Sequence, residues 1–278
     1  MPKAAAGEND HVLGTDLSPL TLFGGVAGKV VCVTGGSSGI GAMIAAGFVA
    51  SSARVFICSR KDGSDWAAQL AAKGPGTCTA VSADLTAQPD VDALLATIGE
   101  VAGGQLHVLV NNSGANWAEP LGEYSMDGWA KVMDLNAGAL FNLTQCALPL
   151  LEAGSLDGDP TRVINIGSID GLTVPALETY AYSTSKSAVV HMTKVLAGHL
   201  VERGITCNSI CPGAFQSRMM RKTIEVAGDE LGGEWLSGRI GEPSDMAGTC
   251  VFLASRAAAW MTGANLVLDG GNIVRPRL

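Results

Sequence analysis

KVVCVTGGSSGIGAMIAAGFVA, Lys29–Ala50, carries no charge after its first residue. Hydropathy alone would allow a membrane span, but TGGSSGIG, Thr34–Gly41, interrupts the run with glycines and serines. The β-branched residues before the interruption read as a buried strand, and IGAMIAAGFVA after it reads as a buried helix. A glycine-rich turn at a strand-to-helix handover has a physical use. Gly35, Gly39 and Gly41 permit a tight turn, close approach of backbone to a pyrophosphate, and close helix packing. The helix N-terminus then offers unpaired N–H groups and a positive dipole end to an anion. A glycine turn without a ligand is the plainer alternative.

Outward from this unit, apolar runs and helical patterns alternate almost to the end of the chain. ARVFICS, TCTAVSAD, QLHVLVNNSG, TRVINIGS, TCNSICPG and NLVLDGG read as further strands. DWAAQLAAK, VDALLATIGEVA and GWAKVMDLNAGALFNLTQCALPLLEA read as helices, and a long helix is expected from Tyr182 to about Glu202. Apolar strands alternating with helices imply a parallel sheet covered on both faces. The expected fold is α/β, a doubly wound parallel sheet of Rossmann type, whose ligands bind at the carboxyl ends of the strands. No repeat, low-complexity linker or second domain is visible. Residues 1–27 read as a poorly ordered arm and 28–278 as one domain. The stretch of about 213–243 breaks the rhythm and suits a mobile substrate lid.

Composition narrows the partners. With a net charge of −8 and no Lys/Arg blocks, the chain is a poor partner for nucleic acid or an anionic membrane. The seven cysteines form no CxxC pair and sit in apolar runs such as VVCV and VFIC, so they read as buried reduced thiols of a cytoplasmic protein. Cys207 and Cys211 lack a histidine set that would complete a zinc site, and no metal is expected. MPKAAAGENDHVLG contains no apolar signal region, and the terminal RPRL echoes a peroxisomal address only imperfectly.

The second strand ends VFICSRK. An acidic residue there would hold both ribose hydroxyls of NAD, but Ser59 stands in its place, followed by Arg60 and Lys61. A guanidinium grips a 2′-phosphate that a carboxylate would repel, so NADP(H) is expected unless Arg60 is merely a solvated charge. Asp84 either accepts a hydrogen bond from the adenine amino group or caps the helix that follows. Asn111 and Asn112 can tie strand ends together and line a cofactor crevice.

In TYAYSTSKSA, Thr179–Ala188, Tyr182 and Lys186 are four residues apart, about 6 Å along a helix and on one face. Tyr180 points elsewhere. A free phenol titrates near ~10, and an ammonium one turn away would pull that value toward the working range. Ser168 ends a strand and is either a turn former or a donor to a carbonyl oxygen on which negative charge develops. Asn136 lies on the apolar stripe Trp129, Val132, Leu140, Leu143 and Ala147. A buried amide needs partners there, either a neighbouring carbonyl or a water leading to Lys186.

TGGSSGIG, NNSG, Asn136, Ser168, Tyr182-x-x-x-Lys186 and CPG, in this order from about Gly28 to Gly271, resemble the short-chain dehydrogenase/reductase family. The resemblance implies an NADPH-dependent reductase that transfers hydride to a ketone or 3-oxoacyl substrate. It implies Tyr182 as general acid/base and Ser168 as the group that polarises the carbonyl. It also implies that Lys186 holds the nicotinamide ribose and tunes Tyr182, and that Asn136 supports a proton relay. Cofactor contacts are implied for Gly35, Ser37, Ser38, Gly39, Ile40 and Gly41 in the turn, and for Ser59, Arg60, Lys61, Asp84 and Leu85 after the second and third strands. Further contacts fall to Asn112, Gly114, Tyr182 and Lys186, and to Pro212, Gly213, Phe215 and Ser217 at and after CPG. Many NADP-using relatives carry a basic residue where Ser38 stands, so the expectation of NADP rests on Arg60. ICPGAFQSRM and NNSGANWAEPL look most like the 3-oxoacyl reductase branch, and CSR is similar to tropinone-type ketone reductases.

Trp117 and Trp235 would wall a substrate pocket or anchor loops. Arg218, Arg221 and Lys222 would steer an acidic carrier or phosphopantetheine, or form a solvated face. The expected partners are a small carbonyl substrate, including an acyl thioester, and further copies of the chain in a dimer or tetramer. Two alternatives stand. One is an NAD(P)-dependent secondary-alcohol or sugar dehydrogenase using the same residues in reverse; the other is a dinucleotide-sensing protein without chemistry.

Overall fold

The computed structural model describes residues 15–217 and 236–275. Arg218, Arg221, Lys222, Trp235, most of the expected lid and the final residues of RPRL lie outside them. Seven strands form one sheet: β1 (Val30–Thr34), β2 (Arg54–Ser59), β3 (Thr77–Ser82), β4 (Val108–Asn111), β5 (Thr161–Ile166), β6 (Ile205–Pro212) and β7 (Asn265–Leu268). All are parallel, in the order β3-β2-β1-β4-β5-β6-β7. The order reverses beside β1, which pairs with β2 on one side and β4 on the other. Connections leaving those strands go to opposite faces and open a crevice at the carboxyl ends.

The helices in chain order are α1 (Pro19–Phe23), α2 (Gly39–Ala50), α3 (Ser64–Lys73), α4 (Gln88–Ala102), α5 (Met126–Met133), α6 (Leu140–Cys146), α7 (Leu148–Gly154), α8 (Tyr180–Leu200) and α9 (Pro243–Ala254). Val31 and Val33 join Val55, Ile57 and Ile164 on one face of the sheet, under Ile44 and Phe48 of α2 and Met246 and Leu253 of α9. Val30 and Cys32 join Phe56, Leu109 and Val163 on the other, under Leu94 and Ile98 of α4, Leu143 and Leu200. Alternate residues of a strand point to opposite faces, so a strand covered on both must be apolar throughout. Each such side chain contributes roughly 1.5–3 kcal/mol relative to exposure. Edge strand β3 has one neighbour, and its positions are exposed or half-buried, alternating from Thr77 to Ala80.

Several boundaries differ from the sequence reading. The run from Gly128 to Ala153 is not one helix: α5 passes through a π-helical segment, Asp134–Ala139, into α6. Pro149, at the start of α7, has no N–H to continue the ladder of α6, so the chain begins a new helix there. The long helix starts at Tyr180, two residues early. Helix α4 begins at Gln88, so Asp84 is not its cap. The described part of the N-terminal arm carries α1, capped by Ser18, and places Val26 in the core at 1% exposure.

At the amino-terminal edge of the sheet, Arg162 donates to the carbonyls of Leu253 and Ser255, and Lys29 donates to that of Ala254. Asp159 accepts from both cations at 2.9 Å. The last carbonyls of α9 are thus satisfied by positive charge, where the helix dipole favours it. All seven cysteines are free thiols. Among the described residues no helix is long and apolar enough to cross a membrane, and no His/Cys/Asp/Glu group could hold a metal.

Candidate active site

The turn after β1 is shaped by missing side chains. Gly35 and Gly39 have φ of +66° and +55°, the left-handed region that favours glycine. A Cβ on Gly41 would lie 2.3 Å from the Gly35 carbonyl oxygen, and one on Gly36 would lie 2.5 Å from Cγ2 of Ile57. Thr34 locks the turn to β4: its Oγ1 accepts from the N–H groups of Asn112 (2.8 Å) and Ser113 (2.9 Å). The Asn112 amide in turn donates to the Thr34 carbonyl at 2.7 Å. Ser38 occupies the cap position of α2 in extended backbone and makes no side-chain capping bond. The first N–H groups of α2 are therefore not claimed by that side chain, as an anion site requires. Ile40 packs against the core beneath them.

Beside the turn, Ser37 donates to Ser59 at 3.1 Å, and Ser59 donates to the Lys61 carbonyl at 2.7 Å. Arg60 and Lys61 are exposed. The Asp84 carboxylate accepts from Thr86 N–H and Oγ1, and these bonds, with a smaller contribution from Arg60, hold its pKa below the usual range. The Leu85 side chain is buried in the core. Across the crevice Pro212 ends β6, and Gly213 lies against Asp269, where a Cβ would approach Cα to 2.9 Å. The Phe215 side chain is core, lying against Gly241. Ser217 sits over the glycine turn, 3.2 Å from where a Gly39 Cβ would be.

The second group lies at the ends of β5 and α8. Tyr182 is half-buried with its phenol beside Ser168, and Lys186 Nζ is 5.6 Å from the centre of its ring. Nζ donates to the Ile166 carbonyl at 2.7 Å. Gly114 lies close against this group: a Cβ there would lie 3.2 Å from Asn136 Oδ1 and 3.8 Å from Lys186 Nζ. The Asn136 amide accepts from Ala115 N–H (2.8 Å) and donates to the Ala115 carbonyl (3.0 Å) and Ser185 Oγ (2.9 Å). It anchors the loop after β4, as the neighbouring-carbonyl alternative describes. Asn111 is an interior tie, donating to Asn165 and Thr144.

Charge states depart from expectation. Burial pushes the Tyr182 phenol up to about 12, against a lowering by Ser168 and with a further rise from Asp170. Burial pulls Lys186 down to about 8, opposed by Cys211 and Asp170. The anticipated lowering of the phenol by the ammonium does not emerge; desolvation, which penalises the charged forms of both groups, dominates each.

The outer tyrosine, Tyr180, donates to Glu178 at 2.6 Å and stands edge-on to Tyr124 at 5.5 Å. Trp117 is a loop anchor, lying on Gly128 with Lys131 Nζ 4.9 Å from its ring centre. Sequence reasoning missed Thr34, Gly36, Ser185 and Tyr124. Gly36 was visible as the second glycine of TGG; the others are polar residues whose partners lie far along the chain, and no local spacing marks them.

Residues 35–272 match the family model described as Enoyl-(Acyl carrier protein) reductase. The chain is 42% identical over 253 residues to the rhamnolipids biosynthesis 3-oxoacyl-[acyl-carrier-protein] reductase of Pseudomonas aeruginosa, covering 88% of this chain and 96% of that one. It is 34% identical over 272 residues to the short-chain dehydrogenase/reductase PhomF of Diaporthe leptostromiformis, covering 89% and 92%. The solved structure described as Pseudomonas aeruginosa RhlG/NADP active-site complex superposes with a TM-score of 0.85 at 40% identity, covering 90% of this chain and 98% of that one.

Proposed function

The chain belongs to the short-chain dehydrogenase/reductase family of oxidoreductases, and from that premise we propose that it is an NADPH-dependent carbonyl reductase with Tyr182 as general acid. The observation that carries this reading is the convergence of Ser168, Tyr182 and Lys186 at the carboxyl edge of the sheet, facing the crevice that the glycine turn opens. A dinucleotide sensor would need only the turn.

The residues present fit a dinucleotide. Gly35 and Gly41 admit no Cβ, which would meet Asn112 and the Gly35 carbonyl, so the turn stays tight, and the start of α2 offers N–H groups to a pyrophosphate. Arg60 and Lys61, with Ser59 in place of an acid, suit a 2′-phosphate, in keeping with the NADP of the Pseudomonas aeruginosa complex. Gly114 brings the backbone after β4 close to Lys186, which the family reading places at the ribose.

When bound, the reduced nicotinamide supplies the hydride that reaches the carbonyl carbon. Tyr182 gives its proton to the oxygen that becomes the alcohol, and Ser168 donates a hydrogen bond to the same oxygen. Solvent returns the proton to the phenol. A phenol held above its ordinary pKa stays protonated at neutral pH, the state in which it serves as the acid.

A 3-oxoacyl thioester is the favoured substrate class. The relative named for that substrate supports it, as do Leu121, Val174 and Leu177, apolar and exposed on two loops that meet where Leu121 N–H donates to Glu178. Surface apolar residues Val195 on α8 and Trp260 before edge strand β7 support assembly with further copies.

Tyr182→Phe tests the assignment. Turnover with a panel of ketones and acyl thioesters is expected to fall roughly 10²–10⁴-fold, with NADPH affinity by fluorescence unchanged. Near-normal turnover would remove Tyr182 as the acid.

A further inference from the structure

Helix α8 begins without the cap that a helix start usually has. The first N–H groups of a helix have no partner inside it, and the residue just before it ordinarily offers a side-chain oxygen to one of them. Thr179 holds that position and makes no such bond. Instead the N–H of Ala181, a buried residue in the second helical position, donates to the Tyr124 hydroxyl at 3.2 Å. Tyr124 lies 57 positions earlier, on the loop that leads from β4 to α5. Its hydroxyl donates in turn to the Trp117 carbonyl at 3.2 Å, so one oxygen joins that loop to the first turn of α8. A second tie runs beside it: a Glu178 carboxylate oxygen accepts from the Leu121 N–H at 3.2 Å and from the Tyr180 hydroxyl at 2.6 Å.

Tyr182 follows Ala181 directly, in the turn that this arrangement caps. Its main-chain carbonyl accepts from Ser185 Oγ at 2.7 Å, and Ser185 accepts from the Asn136 amide. The backbone that carries the phenol is thus held by Tyr124 on one side and by Ser185 on the other. We propose that Tyr124 is a positioning residue for the reaction: its hydroxyl takes the place of the missing cap of α8 and so fixes where Tyr182 presents its phenol. The inference rests on the reading of Tyr182 as general acid and adds the group that aims it. Uncapped helix ends fray. Proton transfer needs donor and acceptor within about 2.6–3.2 Å, and a misplacement of about 1 Å can cost ~10²-fold in rate.

Tyr124→Phe removes one oxygen and keeps the edge-on ring contact with Tyr180. The readout is single-turnover oxidation of NADPH, in light and in heavy water, with the best substrate from the panel of ketones and acyl thioesters. Rates are counted per NADPH-binding site, so that any unfolded fraction drops out. The rate per site is expected to fall about 5–50-fold, and the solvent isotope effect to rise, because proton delivery then limits the step. Tyr180→Phe, which breaks the bond to Glu178 but leaves the cap, is expected to keep the wild-type rate. A wild-type rate in Tyr124→Phe, or a fall with an unchanged isotope effect as a merely structural role would give, overturns the inference even if Tyr182→Phe is inactive. An equal fall in Tyr180→Phe overturns it too. Full turnover by Tyr182→Phe would instead sink the reading beneath it.

Discussion

Lys186 shows at the scale of one residue how burial and chemistry oppose each other. Its side chain is 5% exposed, donates to the Ile166 carbonyl, and titrates at about 8. The unfolded chain binds that proton up to roughly 10.4. Between those values the unfolded state holds more protons, so stability rises with pH across the window, and the cost is fully present below pH 8. Tyr182 acts with the opposite sign but only above roughly pH 10, where the unfolded phenol begins to ionise and the folded one does not. Lys186→Met is therefore expected to flatten the pH dependence of the unfolding free energy between pH 8 and 10. It should also be more stable than wild type at pH 7 by on the order of 1 kcal/mol, after the Ile166 carbonyl loses its donor. Chemical denaturation along a pH series reads both effects; an unchanged slope would mean that Lys186 titrates ordinarily. The pairing of Tyr182 with Lys186 was legible from their spacing. The direction of their pKa shifts was not, because desolvation is set by walls that other strands build.

At the scale of elements, the π-helical segment between α5 and α6 brings Asn136 to the loop after β4. Three of its side-chain bonds end on Ala115 and Ser185. Asn136→Ala leaves those buried groups without a partner and should destabilise the fold by roughly 2–4 kcal/mol. Urea unfolding measures the loss. A change below ~0.5 kcal/mol together with lost turnover would move Asn136 from anchoring to chemistry. The apolar stripe through Asn136 predicted its burial correctly, and Val132, Leu140, Leu143 and Ala147 are all buried with it. Its partners could not be read in advance, and neither could the extra residue per turn, which arises from packing against the β4 loop rather than from helix propensity. The break at Pro149 was legible in principle, since proline cannot donate to the preceding turn.

At the scale of the molecule, the two ends of the sheet divide the work: the carboxyl edge carries the candidate chemistry and the amino edge carries the Asp159 clamp on Lys29 and Arg162. Asp159→Asn leaves two buried cations without their shared anion and is expected to cost about 3–5 kcal/mol. NADPH affinity of the folded fraction should be unchanged. A loss below ~1 kcal/mol on thermal or urea unfolding would show that the clamp is dispensable. The sequence by itself determined the seven strands, their burial on two faces and the glycine turn, because these follow from periodicities and backbone freedoms that act over a few residues. It likewise marked which polar groups would stand at the strand ends. Only the tertiary structure decided that Phe215 and Leu85 turn into the core and that Asn136 spends its amide on Ala115. Those outcomes depend on which distant segments close around a group, and on how much water they leave there.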